Sequence, residues 1–138
     1  SKGVDREIFL AQEQFREHFA KFERLDAAIL TCSDVSPKSY LVQEGLPPEV
    51  SPQDLIEAGA VGDVVGIFLD KNGVEVPNPL SSRSVGIPLD ALLRVPTRVL
   101  VAAGAHKVEI IRAVLRRGIA NTLITDDVTA EALLQDAP

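Results

Sequence analysis

Between Arg98 and Gly118 the chain reads RVLVAAGAHKVEIIRAVLRRG: an apolar strand pattern, four small residues, a lysine, and an amphipathic helix pattern. A helix N-terminus carries unpaired N–H groups and the positive end of the helix dipole, so it attracts anions. Small residues, Gly104 among them, let a ligand approach that backbone closely. Lys107, in the first helical turn of this pattern, opposes the dipole by up to about 1 kcal/mol, a penalty that an adjacent anion would offset. Plain packing accounts for the same residues, with Gly104 a loop glycine and Lys107 a solvated cation. Known phosphate-loop spacings do not decide the matter, because neither Gly-x4-Gly-Lys-Ser/Thr nor Gly-x-Gly-x-x-Gly is present.

Other reactive residue types are scattered. Asp63, in AGAVGDVVG, follows small residues at the head of a strand pattern, where its carboxylate either accepts ligand hydroxyls or caps a turn. Asp70, beside Lys-Asn-Gly, reads as a turn residue, and Cys32, ending an apolar run, reads as a buried small hydrophobe. His18 and His106 stand too far from other ligands for a metal site, so neither metal nor cofactor is expected. A Gly-x-Ser-x-Gly nucleophile turn is missing as well.

The elements that must position these residues follow from periodicity. The pattern over 5–25 predicts one helix with Ile8, Ala11, Phe15, Phe19 and Phe22 on a face that packs against a sheet or a partner chain. DAAILTC, 26–32, predicts a buried strand followed by a polar loop. Ser51 and Pro52 open a short helix that Gly59 ends. AVGDVVGIFLD predicts a strand, Asn72-Gly73 a hairpin turn, and SRSVGI a returning segment. PLDALLRVP is a short helix, after which strand, helix, strand, helix over the last 40 residues marks parallel β-α units. Val108, Ile111 and Leu115 form the apolar row of the second of these helices, widened by Ile110 and Val114, with Arg112, Arg116 and Arg117 as surface charges. The 138 residues, 46% hydrophobic and 25% charged, suit one α/β domain. A net charge of −6 argues against nucleic-acid binding by this segment itself. The single cysteine excludes an internal disulfide, and no apolar run approaches the ~20 residues of a membrane span, so a cytoplasmic location is expected.

Three ordered stretches, AGAVGDVVGIFLDKNGVEV, SRSVGIPLDALLRVP and VLVAAGAHKVEIIRAVLRRGIANTLITDDVTAEALL, resemble the effector-binding domain of the SorC family of bacterial sugar-responsive transcription regulators. The resemblance covers roughly residues 7–135. It implies a Rossmann-like, mostly parallel sheet flanked by helices, similar to the sugar-phosphate isomerase and deaminase fold, with a hairpin excursion. It also implies a phosphorylated sugar as effector. The family's Gly-Asp falls on Gly62-Asp63, whose acid contacts sugar hydroxyls, and its Gly-Gly-x-x-Lys lysine falls on Lys107, a phosphate contact beside Gly104. The loop after the strand ending at Cys32 lines the same pocket, with Ser33 and Ser39 as further contacts. Ala103 replaces the first glycine of the Gly-Gly pair, and TCSDV replaces the usual Gly-Ile-Gly, which points to a different ligand.

The expectation is therefore a sensing domain over 1–138 with no catalysis of its own. The lack of methionine and the opening Ser-Lys-Gly suggest a trimmed or tagged start. The family's earlier half-domain and its helix-turn-helix region have no counterpart in these residues, so operator DNA is reached only through chain outside this sequence. Self-association is expected through the Phe-rich helix or the hairpin around Asn72. The rival is an aldose–ketose isomerase or amino-sugar deaminase with Asp63 as base.

Overall fold

The computed structural model describes residues 6–81 and 84–135. Its strands are β1 (Ala27–Leu30), β2 (Cys32–Asp34), β3 (Ala60–Val64), β4 (Ile67–Asp70), β5 (Thr97–Val101) and β6 (Thr122–Ile124). Its α-helices are α1 (Arg6–Ala11), α2 (Glu13–Ala20), α3 (Pro52–Glu57), α4 (Leu89–Arg94), α5 (Val108–Arg116) and α6 (Asp127–Gln135).

The run expected as one strand divides at Thr31, and its two parts enter different sheets. β1 pairs in parallel with β5, and β5 with β6, in the order β1-β5-β6. β2 pairs antiparallel with β3, and β3 with β4. A parallel sheet flanked by helices is thus present, and the hairpin excursion widens into an antiparallel sheet of its own.

AVGDVVGIFLD is not one strand but a hairpin. Val65 and Gly66, at φ 49° and 81°, turn the chain between the paired residues Val64 and Ile67. A β-branched residue in the left-handed region is strained, so this turn carries no sequence signal of the Asn-Gly kind. The Asn72-Gly73 turn forms as well, held by the Asp70 carboxylate, which accepts from the Asn72 and Val74 amides at 2.9 and 2.8 Å. Its returning segment is Val74–Val76, bridged to Leu69 through Glu75, rather than SRSVGI. Ser82 and Arg83 of that stretch lie outside the described residues, and Ser84–Ile87 join no strand.

α5 shows what holds the two sheets together. Ile110, Ile111, Ala113 and Val114 are completely buried, and their cluster contains Leu30 and Leu100 of the parallel sheet together with Val64 and Leu69 of the antiparallel one. A second cluster, including Val50, Leu55 and Phe68, fills the space between the antiparallel sheet and α3. Ser51 caps α3 as expected, its Oγ accepting from the Gln53 amide at 3.1 Å. Across the parallel sheet Leu30 and Leu100 lie side by side facing this core, while Ile29, Val101 and Ile124 point the other way and are exposed. That alternation is the strand period of two.

The helix expected over 5–25 is interrupted, and Asp5 lies outside the described residues. Gln12 is extended (φ −74°, ψ 133°) between α1 and α2, and a 3-10 turn at Lys21–Arg24 follows. In an unbroken helix side chains six residues apart diverge by roughly 240°. The break lets Phe9 meet Phe15 edge-on, with centroids 5.3 Å apart, while Phe19 meets Phe22 at 5.2 Å. These rings are half-buried against one another rather than in a sheet core, and Ile8 and Ala11 are exposed.

Arginines fasten the elements. Arg98 donates to the carbonyls of Ile119 (3.0 Å) and Gly118 (3.2 Å), just beyond the C-terminus of α5, and to that of Val95 at the end of α4. Arg112 and Arg116, expected to be simple surface charges, reach the carbonyls of Ala132 and Lys71.

Candidate functional site

Because β1, β5 and β6 run parallel, the loops that leave their carboxyl ends gather on one side, the usual location of ligands in open α/β sheets. The loop after β5 turns at Gly104, whose φ of +113° and a His106 ring atom 2.7 Å from where a Cβ would stand both favour glycine. The Gly104 N–H donates to Thr129 Oγ1 at 2.8 Å. Thr129 is almost wholly buried, and its own N–H donates to Asp126 Oδ1 at 2.7 Å, capping α6. The Thr129 hydroxyl, and then its amide, hold the Asp126 carboxyl below the usual range. The cap of one helix therefore anchors the loop that starts another. Sequence reading overlooked Thr129 because Gly104 lies 25 residues away.

After Gly104 a single 3-10 turn, Ala105–Lys107, precedes α5. Lys107 occupies the N-cap position of α5 and is not inside its first turn, with its N–H donated to the Gly104 carbonyl at 2.9 Å. The dipole penalty expected for it is correspondingly relaxed.

Asp63 is the penultimate residue of β3 instead of the head of a strand. It pairs with Ser33 across the antiparallel sheet, and its Oδ2 accepts from the Gly66 amide at 3.0 Å. The carboxylate thus does cap a turn. Burial pushes the Asp63 carboxyl up, while the Gly66 amide, the Ser33 hydroxyl and the Lys107 charge draw it down. Gly62, directly before it, lies flush against Ile110 of α5. The fold brings Ser33, Gly62, Asp63, Gly104 and Lys107 into one neighbourhood from three elements. Ser39 is buried in the turn after β2, tied by its backbone to Ser36 and Gln43.

Cys32 is 3% exposed, as a buried small hydrophobe should be. Burial pushes its thiol up to about 11; Lys107 draws it down and Asp63 and Asp34 raise it. A neutral thiol without access is unreactive. Ellman's reagent should accordingly leave native Cys32 unmodified over hours at pH 8 and titrate one thiol at once in denaturant. Rapid modification of the native protein would contradict this burial.

Asp34 and Ser36 carried no signal beyond an Asp-x-Ser turn. Asp34, 4% exposed, accepts the Ser36 amide at 3.1 Å, and the Ser36 hydroxyl is buried without a partner. The Thr125 hydroxyl, just after β6, is in the same condition. Among the described residues no group of three or more His, Cys, Asp or Glu side chains is placed to hold a metal ion, and no helix is long and apolar enough to cross a membrane.

Residues 1–135 match the family described as "Putative sugar-binding domain". The chain belongs to this sugar-binding family of SorC-type regulators. It is 45% identical over 78 residues to the transcriptional regulator LsrR of Escherichia coli K12, covering 56% of this chain and 25% of that protein. Over 132 residues it is 32% identical to the erythritol catabolism regulatory protein EryD of Brucella abortus, covering 94% of this chain and 41% of EryD. A transcriptional regulator from Streptococcus pneumoniae TIGR4 superposes with a TM-score of 0.84 at 28% identity, covering 96% of this chain and 52% of that one. The full-length sorbitol operon regulator SorC of Klebsiella pneumoniae shares the fold, with a TM-score of 0.83 at 24% identity over 94% of this chain and 41% of SorC. The sugar-binding domain described here thus spans less than half of the curated relatives it matches.

Proposed function

We propose that this sugar-binding domain is the effector-sensing part of a bacterial transcription regulator and takes a phosphorylated sugar at Ser33, Gly62, Asp63, Gly104 and Lys107, with Ser39 in the adjoining loop. The observation that carries the reading is the convergence of the half-buried Ser33–Asp63 pair with Lys107 at the carboxyl end of the parallel sheet. The Lys107 ammonium suits the phosphate, and the Asp63 carboxylate suits sugar hydroxyls as a charged acceptor. Gly104 has no side chain of its own, and a shift of the neighbouring His106 ring would let a ligand approach its backbone.

In this reading residues 1–138 form one domain that works within a longer, self-associating, cytoplasmic protein. The bound sugar favours one arrangement of the subunits, and operator affinity changes through a helix-turn-helix region outside this chain. In this reading the domain performs no catalysis, and Asp63 binds hydroxyls and does not abstract a proton.

A thermal-shift panel of phosphorylated and free sugars tests the proposal. A phosphorylated sugar at about 100 times its Kd should add about 2.7 kcal/mol of stability, and its free counterpart nothing. Lys107→Ala should weaken that sugar by roughly tenfold, the loss of one charge-assisted contact. A flat response to every phosphorylated sugar sinks the reading. Turnover of one of them, abolished by Asp63→Asn, would instead establish an enzyme.

A further inference from the structure

Among the described residues of α6 only Thr129 is buried, at 1% exposure, while the apolar Val128 and Leu134 of the same helix stand in solvent. Packing alone does not select threonine there. Valine has nearly the same shape and no hydroxyl to desolvate, so a buried hydroxyl is tolerated only where it is bonded. This one is used twice. Its oxygen accepts the Gly104 N–H at 2.8 Å, and its hydrogen is donated to the Asp126 carboxylate. Donation to a charged acceptor makes the same oxygen a better acceptor in turn.

Gly104 is thereby held on both sides. Its N–H goes to Thr129, and its carbonyl accepts the Lys107 N–H at 2.9 Å across the 3-10 turn. Asp126, the Thr129 hydroxyl, the Gly104 peptide and Lys107 thus form one continuous chain of contacts that ends at the N-cap of α5. Arg112 connects the same two helices a second time, its guanidinium donating to the Ala132 carbonyl at 3.1 Å. The position of the loop is therefore set by α6 as well as by the strand that precedes it.

We propose that Thr129 is a positioning residue of the effector site: its hydroxyl sets the Gly104 turn, and that turn sets where the Lys107 ammonium stands relative to Asp63. The inference rests on the reading that Lys107 receives the phosphate. Without the hydroxyl the Gly104 N–H is left partly buried and unpaired, and the turn must open to give it water. Lys107 moves with the turn, and a charge-assisted contact that depends on short, aligned geometry weakens. Thr129 touches the loop alone, yet through it α6 takes part in recognition.

The test is a double-mutant cycle, read by calorimetric titration of the 138-residue chain with whichever of fructose 6-phosphate, ribose 5-phosphate and glucose 6-phosphate binds most tightly. Thr129→Val should weaken that sugar phosphate by about tenfold, and Thr129→Ser, which keeps the hydroxyl, should stay within about threefold of the wild type. In a Lys107→Ala background Thr129→Val should add less than about a further twofold, because it acts through the lysine. In the ligand-free protein the Gly104 amide, followed by NMR, should exchange at least about tenfold faster in the valine variant than in the serine variant or the wild type. Asp126→Ala, at an exposed position, removes the acceptor of the hydroxyl and should weaken binding by about threefold, which keeps the inference testable if the valine variant does not fold. Equal losses from Thr129→Val in both backgrounds, or serine as damaging as valine, would make Thr129 a structural residue only. Either result overturns the inference while a loss in Lys107→Ala leaves the phosphate reading standing, and so does a Gly104 amide that exchanges no faster in the valine variant. Absence of binding by all three sugar phosphates, or indifference to Lys107→Ala, removes that reading and the inference with it.

Discussion

Gly62→Ala should destabilise the domain by about 3 kcal/mol, at the upper end of overpacking costs. Gly62 is buried in β3, and its φ is not positive, so backbone freedom is not the reason for glycine there. Space is the reason. A Cβ at this position would stand 2.7 and 2.8 Å from Cγ1 and Cβ of Ile110 and would also strike the Ser33 carbonyl oxygen. Neither neighbour can yield. Ile110 is completely buried in the helix that joins both cores, and the Ser33 carbonyl belongs to a paired strand. Accommodation would have to move α5 off the antiparallel sheet, displacing Lys107 from Asp63 at the same time. Gly59→Ala provides the comparison: its φ is +90° and nothing lies within 4 Å of the added carbon. That variant should lose about 1–2 kcal/mol, the conformational cost alone. Urea unfolding of both variants measures the difference, and equal losses would show that the Gly62 contact is not rigid.

Asp63→Asn should separate stability from binding. Burial raises the native Asp63 carboxyl above its ordinary range, beyond what the Gly66 amide, Ser33 and Lys107 take back. The folded protein then holds this proton at pH values where the unfolded chain has released it. Stability consequently falls as pH rises from about 4, the unfolded value, through the raised native value, and the deficit persists at neutrality. Asparagine carries no such charge and still offers an oxygen to the Gly66 amide. The variant should therefore melt above the wild type at pH 7, with the two converging on acidification below about 4. Binding of the phosphorylated sugar should fall by roughly 10- to 100-fold, because a charged acceptor for its hydroxyls is gone. A variant less stable than wild type at neutral pH, or a gap that persists in acid, would falsify the assignment of a burial-dominated carboxyl. Unchanged affinity would remove Asp63 from the site.

Much of this was decided locally and could be read from the chain. Ser51 and Pro52 start α3, Asp70 and Gly73 make their turn, and the apolar stripe of α5 between β5 and β6 marks a parallel unit. Each depends on residues within a few positions of one another, where capping, left-handed glycine and helical period act directly. The small residues ahead of Lys107 were legible in the same way. Tertiary structure decided the rest. Nothing near Thr31 announces that the chain changes sheets there, and Val65 gives no sign of a turn. Only strand pairing places Ser33 opposite Asp63, and only the packing of α5 between two sheets brings Lys107 to them. Thr129 anchors Gly104 at a separation of 25 positions, and Arg98 reaches Gly118 and Ile119 at separations of 20 and 21. Such contacts follow from which faces are buried together. Burial is a property of the assembled fold, so the candidate residues are visible in the chain one at a time and come into one neighbourhood only on folding.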